Sequence, residues 1–136
     1  MSALAKEIGD FKVLMVEDQD EVRAMLRNML LEFGINQVFE SNDGEEALTF
    51  LQSEYDFVNM IICDWNMPNM TGVELLKKLR VTDQDIPFLM VTGRADVESV
   101  KEAKKKGVTA YISKPFMPQQ LEAKLRIILH RMSQDS

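Results

Sequence analysis

Apolar positions along this chain alternate between two rhythms. Short runs of consecutive apolar residues are each followed by a stretch with apolar residues three and four apart. Lys12 to Val16, Met60 to Cys63 and Phe88 to Val91 read as buried strands, with Gln37 to Glu40 and Ala110 to Ser113 as two more. In the first intervening stretch, Val22, Met25, Leu26, Met29, Leu30 and Phe33 fall on one helical stripe that Gly34 can end. Asp43, with Glu46 three residues on, is an N-cap for a second helix whose inner face is Ala47, Leu48 and Leu51. Thr71 and Glu74 form a capping-box signature ahead of Val73, Leu76 and Leu79. A fourth helix runs from about Val97 to Gly107, and Lys104, Lys105 and Lys106 complement its dipole. A fifth has Pro118 near its first turn and carries Leu121, Leu125, Ile128 and Met132.

Strands that alternate with helices pair in parallel through right-handed crossovers. All-apolar strands predict a sheet covered on both faces, which makes an α/β doubly wound fold. The 136 residues suit one domain with a core from about 12 to 132. Roughly ten N-terminal residues and Ser133 to Ser136 are expected to be loose.

Composition narrows the function classes. Lys and Arg number 16 against 22 Asp and Glu, a net charge of −6 that argues against generic nucleic-acid binding. The one cysteine, Cys63, excludes an internal disulfide and sits in an apolar run, so it is expected to pack in the core. With one histidine, His130, a His/Cys zinc site or a His-based triad lacks its parts. The longest apolar runs are four residues, far short of the ~20 that span a bilayer. No basic start leads into an apolar stretch, so the cytoplasm is the expected compartment. The ten methionines read mostly as core filler, with Met67 and Met70 as loop exceptions.

Ligands of such sheets bind beyond the carboxyl ends of the strands. There the chain carries Glu17 and Asp18, then Asp64, Trp65 and Asn66, then Thr92 and Gly93, then Lys114 and Pro115. Three carboxylates in one cleft repel each other unless a cation intervenes. Mg²⁺ fits better than Ca²⁺, because few protein ligands are present and water must complete the shell. A carboxylate can also be a nucleophile that forms an aspartyl phosphate. Phosphoryl transfer needs positioning and neutralised oxygens, which a metal, Lys114 and the Thr92 hydroxyl would supply.

Taken in order, Glu17-Asp18, Asp64 to Pro68 with Gly72, Thr92-Gly93 and Lys114-Pro115-Phe116 resemble the receiver domain of two-component response regulators. The stretch Asp64 to Met70, DWNMPNM, resembles its stand-alone, CheY-like chemotaxis members. The resemblance covers roughly Lys12 to Met132. It implies a flavodoxin-like sheet of five parallel strands in the order 2-1-3-4-5. It also implies that Asp64 is the phospho-acceptor and that Asp18, Asp64 and the backbone carbonyl of Asn66 ligate Mg²⁺. Glu17 would act at the metal through water or by orienting other ligands. Thr92 and Lys114 would hold the phosphoryl group, and Tyr111 would be the switch aromatic. The partners implied are a sensor histidine kinase or histidine phosphotransfer protein and a downstream protein target, met by a monomer through the face of the fourth helix, fifth strand and fifth helix. The only catalysis implied is of the receiver's own phosphorylation and dephosphorylation. Asn66 and Arg94 occupy the two positions that tune phosphoryl lifetime. Arg94 departs from the acidic residue of the chemotaxis members and is free to pair with Asn66 or the phosphoryl group, or to extend into water. The family commonly has a cis bond where this chain has Lys114–Pro115.

Blander readings stand beside each of these. Glu17-Asp18 can cap a helix, Asp64 can be a turn residue, and Lys114 can be a surface lysine. Trp65 reads more safely as packing than as an exposed rim residue. The lysines before Gly107 can also mark a surface for an acidic partner. Two rival functions use the same residues. One is a phosphohydrolase with an aspartyl-phosphate intermediate, although its usual second Asp is Asn66 here and a cap domain has no room. The other is an interaction module on the same fold that works without phosphorylation.

Overall fold

The computed structural model describes residues 10–54, 58–82, 85–94 and 96–135. The alternation seen in the sequence is the architecture: β1 (Lys12–Val16), α1 (Asp20–Phe33), β2 (Gln37–Ser41), α2 (Gly44–Glu54), β3 (Met60–Asp64), α3 (Gly72–Val81), β4 (Phe88–Thr92), α4 (Val97–Lys105), β5 (Ala110–Ser113) and α5 (Pro118–Asp135). The strands form one sheet in the order β2-β1-β3-β4-β5, and every pair is parallel. This is the flavodoxin-like α/β fold.

Strand side chains alternate between faces, so each central strand feeds two cores. Leu14, Val16, Ile61, Cys63, Phe88 and Met90 meet Ala47 and Leu51 of α2, Leu75, Leu76 and Leu79 of α3 and Ala103 of α4. Val13, Met15, Met60, Ile62, Leu89 and Val91 meet Leu26 and Leu30 of α1 and Leu121, Leu125 and Ile128 of α5. Cys63, on the side of α2, α3 and α4, is buried as a free thiol. No helix among the described residues is long and apolar enough to cross a membrane.

The helix signals act as their chemistry requires. The Thr71 hydroxyl accepts from the Glu74 N–H while the Glu74 side chain accepts from the Thr71 N–H. Asp43 accepts from the Glu46 N–H at 2.8 Å. Gly34 takes φ 113°, open to glycine at little cost, and donates to the Leu30 and Leu31 carbonyls.

Some expectations need correction. Met25 is 41% exposed, because it lies at the margin of the α1 stripe and the burial centre falls on Leu26 and Leu30. Met67 and Met70 are in a loop, yet they belong to the core against α2 and α3. Room for Met70 exists because Gly44 has no side chain: a Cβ there would lie 2.8 Å from that of Met70. Residues 133–135 extend α5 rather than trailing from it. The expected N-terminal tail, Met1 to Gly9, and Ser136 lie outside the described residues.

Gly72, the first residue of α3, allows a close approach to the end of β3. A Cβ there would stand 2.3 Å from the Asp64 carbonyl oxygen and 3.0 Å from the Met90 sulfur. The Gly72 N–H meanwhile donates to the Trp65 carbonyl at 2.8 Å. Gly72→Ala must therefore push β3 from α3, with an expected loss of about 1–3 kcal/mol. Urea denaturation checks this; an unchanged midpoint would show that the loop yields freely.

Candidate functional site

Strand register assembles the site. Val16 pairs with Cys63, so Glu17 and Asp64 come next to each other at the carboxyl edge. Asp64 pairs with Val91 and Thr92 with Ser113, which brings Thr92 and Lys114 to the same rim. The Lys114 N–H donates to the Thr92 carbonyl at 2.8 Å. The Lys114–Pro115 bond is cis.

The Lys114 ammonium stands between two carboxylates, 3.1 Å from Glu17 Oε1 and 3.0 Å from Asp64 Oδ2. Glu17 is 1% exposed. Asp18 lies exposed beside this pair, and one carboxylate oxygen from each of Glu17, Asp18 and Asp64 falls within 4.8 Å of the others. The acidic trio and the lysine expected from the sequence are therefore brought together.

Burial, hydrogen bonds and neighbouring charge together set the protonation balance. Burial raises the Glu17 carboxyl, the Gln19 N–H it accepts from lowers it, and the Asp64 charge raises it further. The net effect, with Lys114 opposing, pushes it up to about 7. Partial burial alone would lower the Lys114 ammonium, but hydrogen bonds and charge from Asp64 and Glu17 outweigh it and hold the lysine above its ordinary value. An all-oxygen, three-carboxylate cluster with one lysine as counter-charge suits a hard divalent cation of the Mg²⁺ kind.

Two loops frame the cluster. After β3, Asp64 Oδ1 accepts from the Asn66 N–H at 3.3 Å. Asn69 takes φ 70°, and its side chain donates to Asp43 Oδ2 at 3.0 Å, which ties this loop to the start of α2. After β4, the Thr92 hydroxyl, fully buried, accepts from the Arg94 N–H at 3.1 Å. The Tyr111 hydroxyl donates to the Arg94 carbonyl. Burial and the Asp96 charge hold the Tyr111 phenol above its ordinary value against the opposing Arg94.

Arg94 does not extend freely into water. Its Nε donates to Asn66 Oδ1 at 3.2 Å, and its guanidinium lies 5.0 Å from the centroid of the Trp65 ring. Trp65 itself is 5% exposed and packs in the core. Of the alternatives the sequence left open for Arg94, the structure shows the pairing with Asn66; the contact with Trp65 was not foreseen. Sequence reasoning also missed Arg23 of α1, whose guanidinium reaches the Glu17 carbonyl at 2.7 Å.

A family model described as the response regulator receiver domain matches residues 13–126. The chain is similar to the chemotaxis protein CheY-3 of Vibrio cholerae serotype O1, 39% identical over 90% of this chain and 95% of that protein. Among solved structures it is similar to Vibrio cholerae chemotaxis protein CheY4, with TM-score 0.74 and 36% identity over 89% of this chain and 97% of that one. It also shares its fold with a chain of the CheX–CheY–BeF₃–Mg²⁺ complex from Borrelia burgdorferi, with TM-score 0.83 and 24% identity over 88% of this chain and 89% of that one.

The Glu17 carboxyl yields a signed pH prediction. Its folded value of about 7 lies above the ordinary 4.5. Between those values the folded state keeps a proton that the unfolded state releases, so stability from this group falls as pH rises through that window. Without metal, Glu17→Gln should gain stability relative to the parent from pH 5 to pH 8, by up to ~3 kcal/mol. Denaturation with chelator at both pH values checks it. A difference that does not change with pH would place the cost elsewhere.

Proposed function

The chain belongs to the response regulator receiver family, as a CheY-like signalling protein rather than a conventional enzyme, and from that premise we propose that Asp64 is its phospho-acceptor in an Mg²⁺-dependent switch. The observation that carries this reading is the Lys114 ammonium held between Asp64 and the buried Glu17, with Asp18 beside them.

Asp18, Asp64 and the Asn66 carbonyl would hold Mg²⁺, and Glu17 would orient or act through water. The cation would supply neutralisation of the incoming phosphoryl oxygens. The phosphoryl donor is a phosphohistidine of a sensor kinase or phosphotransfer protein. An Asp64 oxygen attacks phosphorus, the P–N bond breaks, and the imidazole nitrogen keeps the bonding pair. Water attack on the same phosphorus later restores Asp64 and releases phosphate.

The side chains of the rim suit the charge that arrives. Lys114 already contacts Asp64 and needs only to shift its donors to the phosphoryl oxygens. Thr92 uses its hydroxyl as an acceptor from Arg94, which leaves its proton for a phosphoryl oxygen. Tyr111 contacts the same Arg94, so movement of Thr92 reaches the face of α4, β5 and α5, where a downstream protein would bind. Phosphorylation acts by favouring one of two states already accessible to that face. Asn66 and Arg94 would tune how long the phosphoryl group survives. The setting proposed is cytoplasmic control of chemotaxis or motility, by analogy with the Vibrio relatives.

The test is phosphorylation by acetyl phosphate, read by intact mass, with beryllofluoride binding read by Trp65 fluorescence. Wild type should gain one phosphoryl mass only with Mg²⁺. Asp64→Asn should abolish the gain, and Lys114→Met should leave Mg²⁺ binding but cut labelling on the order of tenfold or more. Labelling that survives Asp64→Asn would overturn the assignment, and repeated turnover of a phosphate ester would favour a phosphohydrolase.

A further inference from the structure

Arg23 lies in the second turn of α1, with a side chain only 14% exposed. Its guanidinium is shared among groups on three segments. Nη1 donates to the Glu17 carbonyl at 2.7 Å and to Asn42 Oδ1 at 2.6 Å. Nε donates to Glu40 Oε1 at 3.2 Å, and Nη2 pairs with Asp20. The backbone N–H of the same residue donates to the Gln19 carbonyl at 3.0 Å. Glu17, Asp18 and Gln19 are thus held from both ends by one residue.

We propose that Arg23 is a positioning residue that aims the Glu17–Asp18 pair at the divalent cation. The proposal rests on the metal reading of the acidic trio. The backbone of the acidic pair has few other ties: the Glu17 N–H donates to Ser41, and the Gln19 N–H donates to the Glu17 side chain. Carboxylates crowded together tend to splay apart, and a loop free to follow them would hold them out of reach of a common cation. Arg23 opposes this by fixing the Glu17 carbonyl against the β2–α2 connection through Asn42. Its charge is already matched by Asp20 and Glu40, so its action on the site is geometric. A planar fork can serve these directions at once, whereas an ammonium cannot.

Arg27 provides the control within the same helix. It pairs with the same Glu40 at 2.6 Å and reaches the Val38 carbonyl, but among the described residues it makes no hydrogen bond to the acidic loop. Mg²⁺ binding to the unphosphorylated chain by calorimetry, with urea denaturation alongside, separates the two arginines. Arg23→Ala should weaken Mg²⁺ affinity about tenfold or more, as loss of partners behind metal ligands does. Arg27→Ala should lose comparable stability with unchanged affinity. Arg23→Lys should keep the fold and charge yet not restore affinity, and it carries the test should Arg23→Ala not fold. Wild-type affinity in Arg23→Lys and Arg23→Ala, or an equal loss in Arg27→Ala, would overturn the proposal. Absence of Mg²⁺ binding in wild type would instead overturn the metal reading on which it rests.

Discussion

Carboxylates crowd together where β1 and β3 end. Parallel pairing of Val16 with Cys63 leaves Glu17 and Asp64 side by side, and the apolar faces of the sheet withhold the water that would screen them. Among the described residues, Lys114 is the one cation in hydrogen-bond reach of both. A buried charge that loses its partner is costly by several kcal/mol. The site is therefore poised: its charges are tolerable with Lys114 in place, and an added cation would relieve what the lysine leaves over.

A rim under such repulsion needs stiff supports, and these come from backbone more than from side-chain bulk. Gly72 lets α3 start against the Asp64 carbonyl. Gly44 makes room for Met70, which anchors the β3–α3 loop in the core. Asn69 crosses to Asp43, whose other oxygen caps α2, so one carboxylate fastens a loop and a helix together. Those hydrogen bonds also hold the Asp43 carboxyl below its ordinary range, with the Glu46 N–H contributing most. Arg23 does the same work for the loop after β1. The acidic residues can then repel each other without moving apart.

How much of this was legible in the sequence follows from which signals are local. Strands, caps and the terminating Gly34 are written in consecutive residues, and the structure has them where local chemistry puts them. The residues at the strand ends were legible because parallel topology fixes that edge as the site, whatever the packing. Burial of Met70 was not, because it depends on the missing side chain of Gly44, distant in sequence. Met25 illustrates the reverse: helical spacing defines a stripe, but only the tilt of α1 on the sheet decides which margin faces water. The contacts of Arg23, and that of Arg94 with Trp65, were hidden for a similar reason. A long cationic side chain has many directions open to it, and only the assembled loops select one.

Arg94 shows how the site and the outer face can act as one body. Its N–H and carbonyl are engaged by Thr92 and Tyr111 respectively, so a single peptide segment joins the strand end to the aromatic on β5. A hydroxyl can accept and donate at once. Thr92 can therefore turn its proton toward a new oxyanion while it keeps the Arg94 N–H, and the loop then travels with it. The side-chain bond to Asn66 and the contact with Trp65 oppose that travel. Both are partly solvated and worth on the order of 1 kcal/mol each. A charge-assisted bond to a phosphoryl oxygen is worth about 1.5–3 kcal/mol. The restraint and the signal are thus comparable in size. That balance suits a switch, since a far stronger restraint would hold one state and a far weaker one would leave no resting state to change.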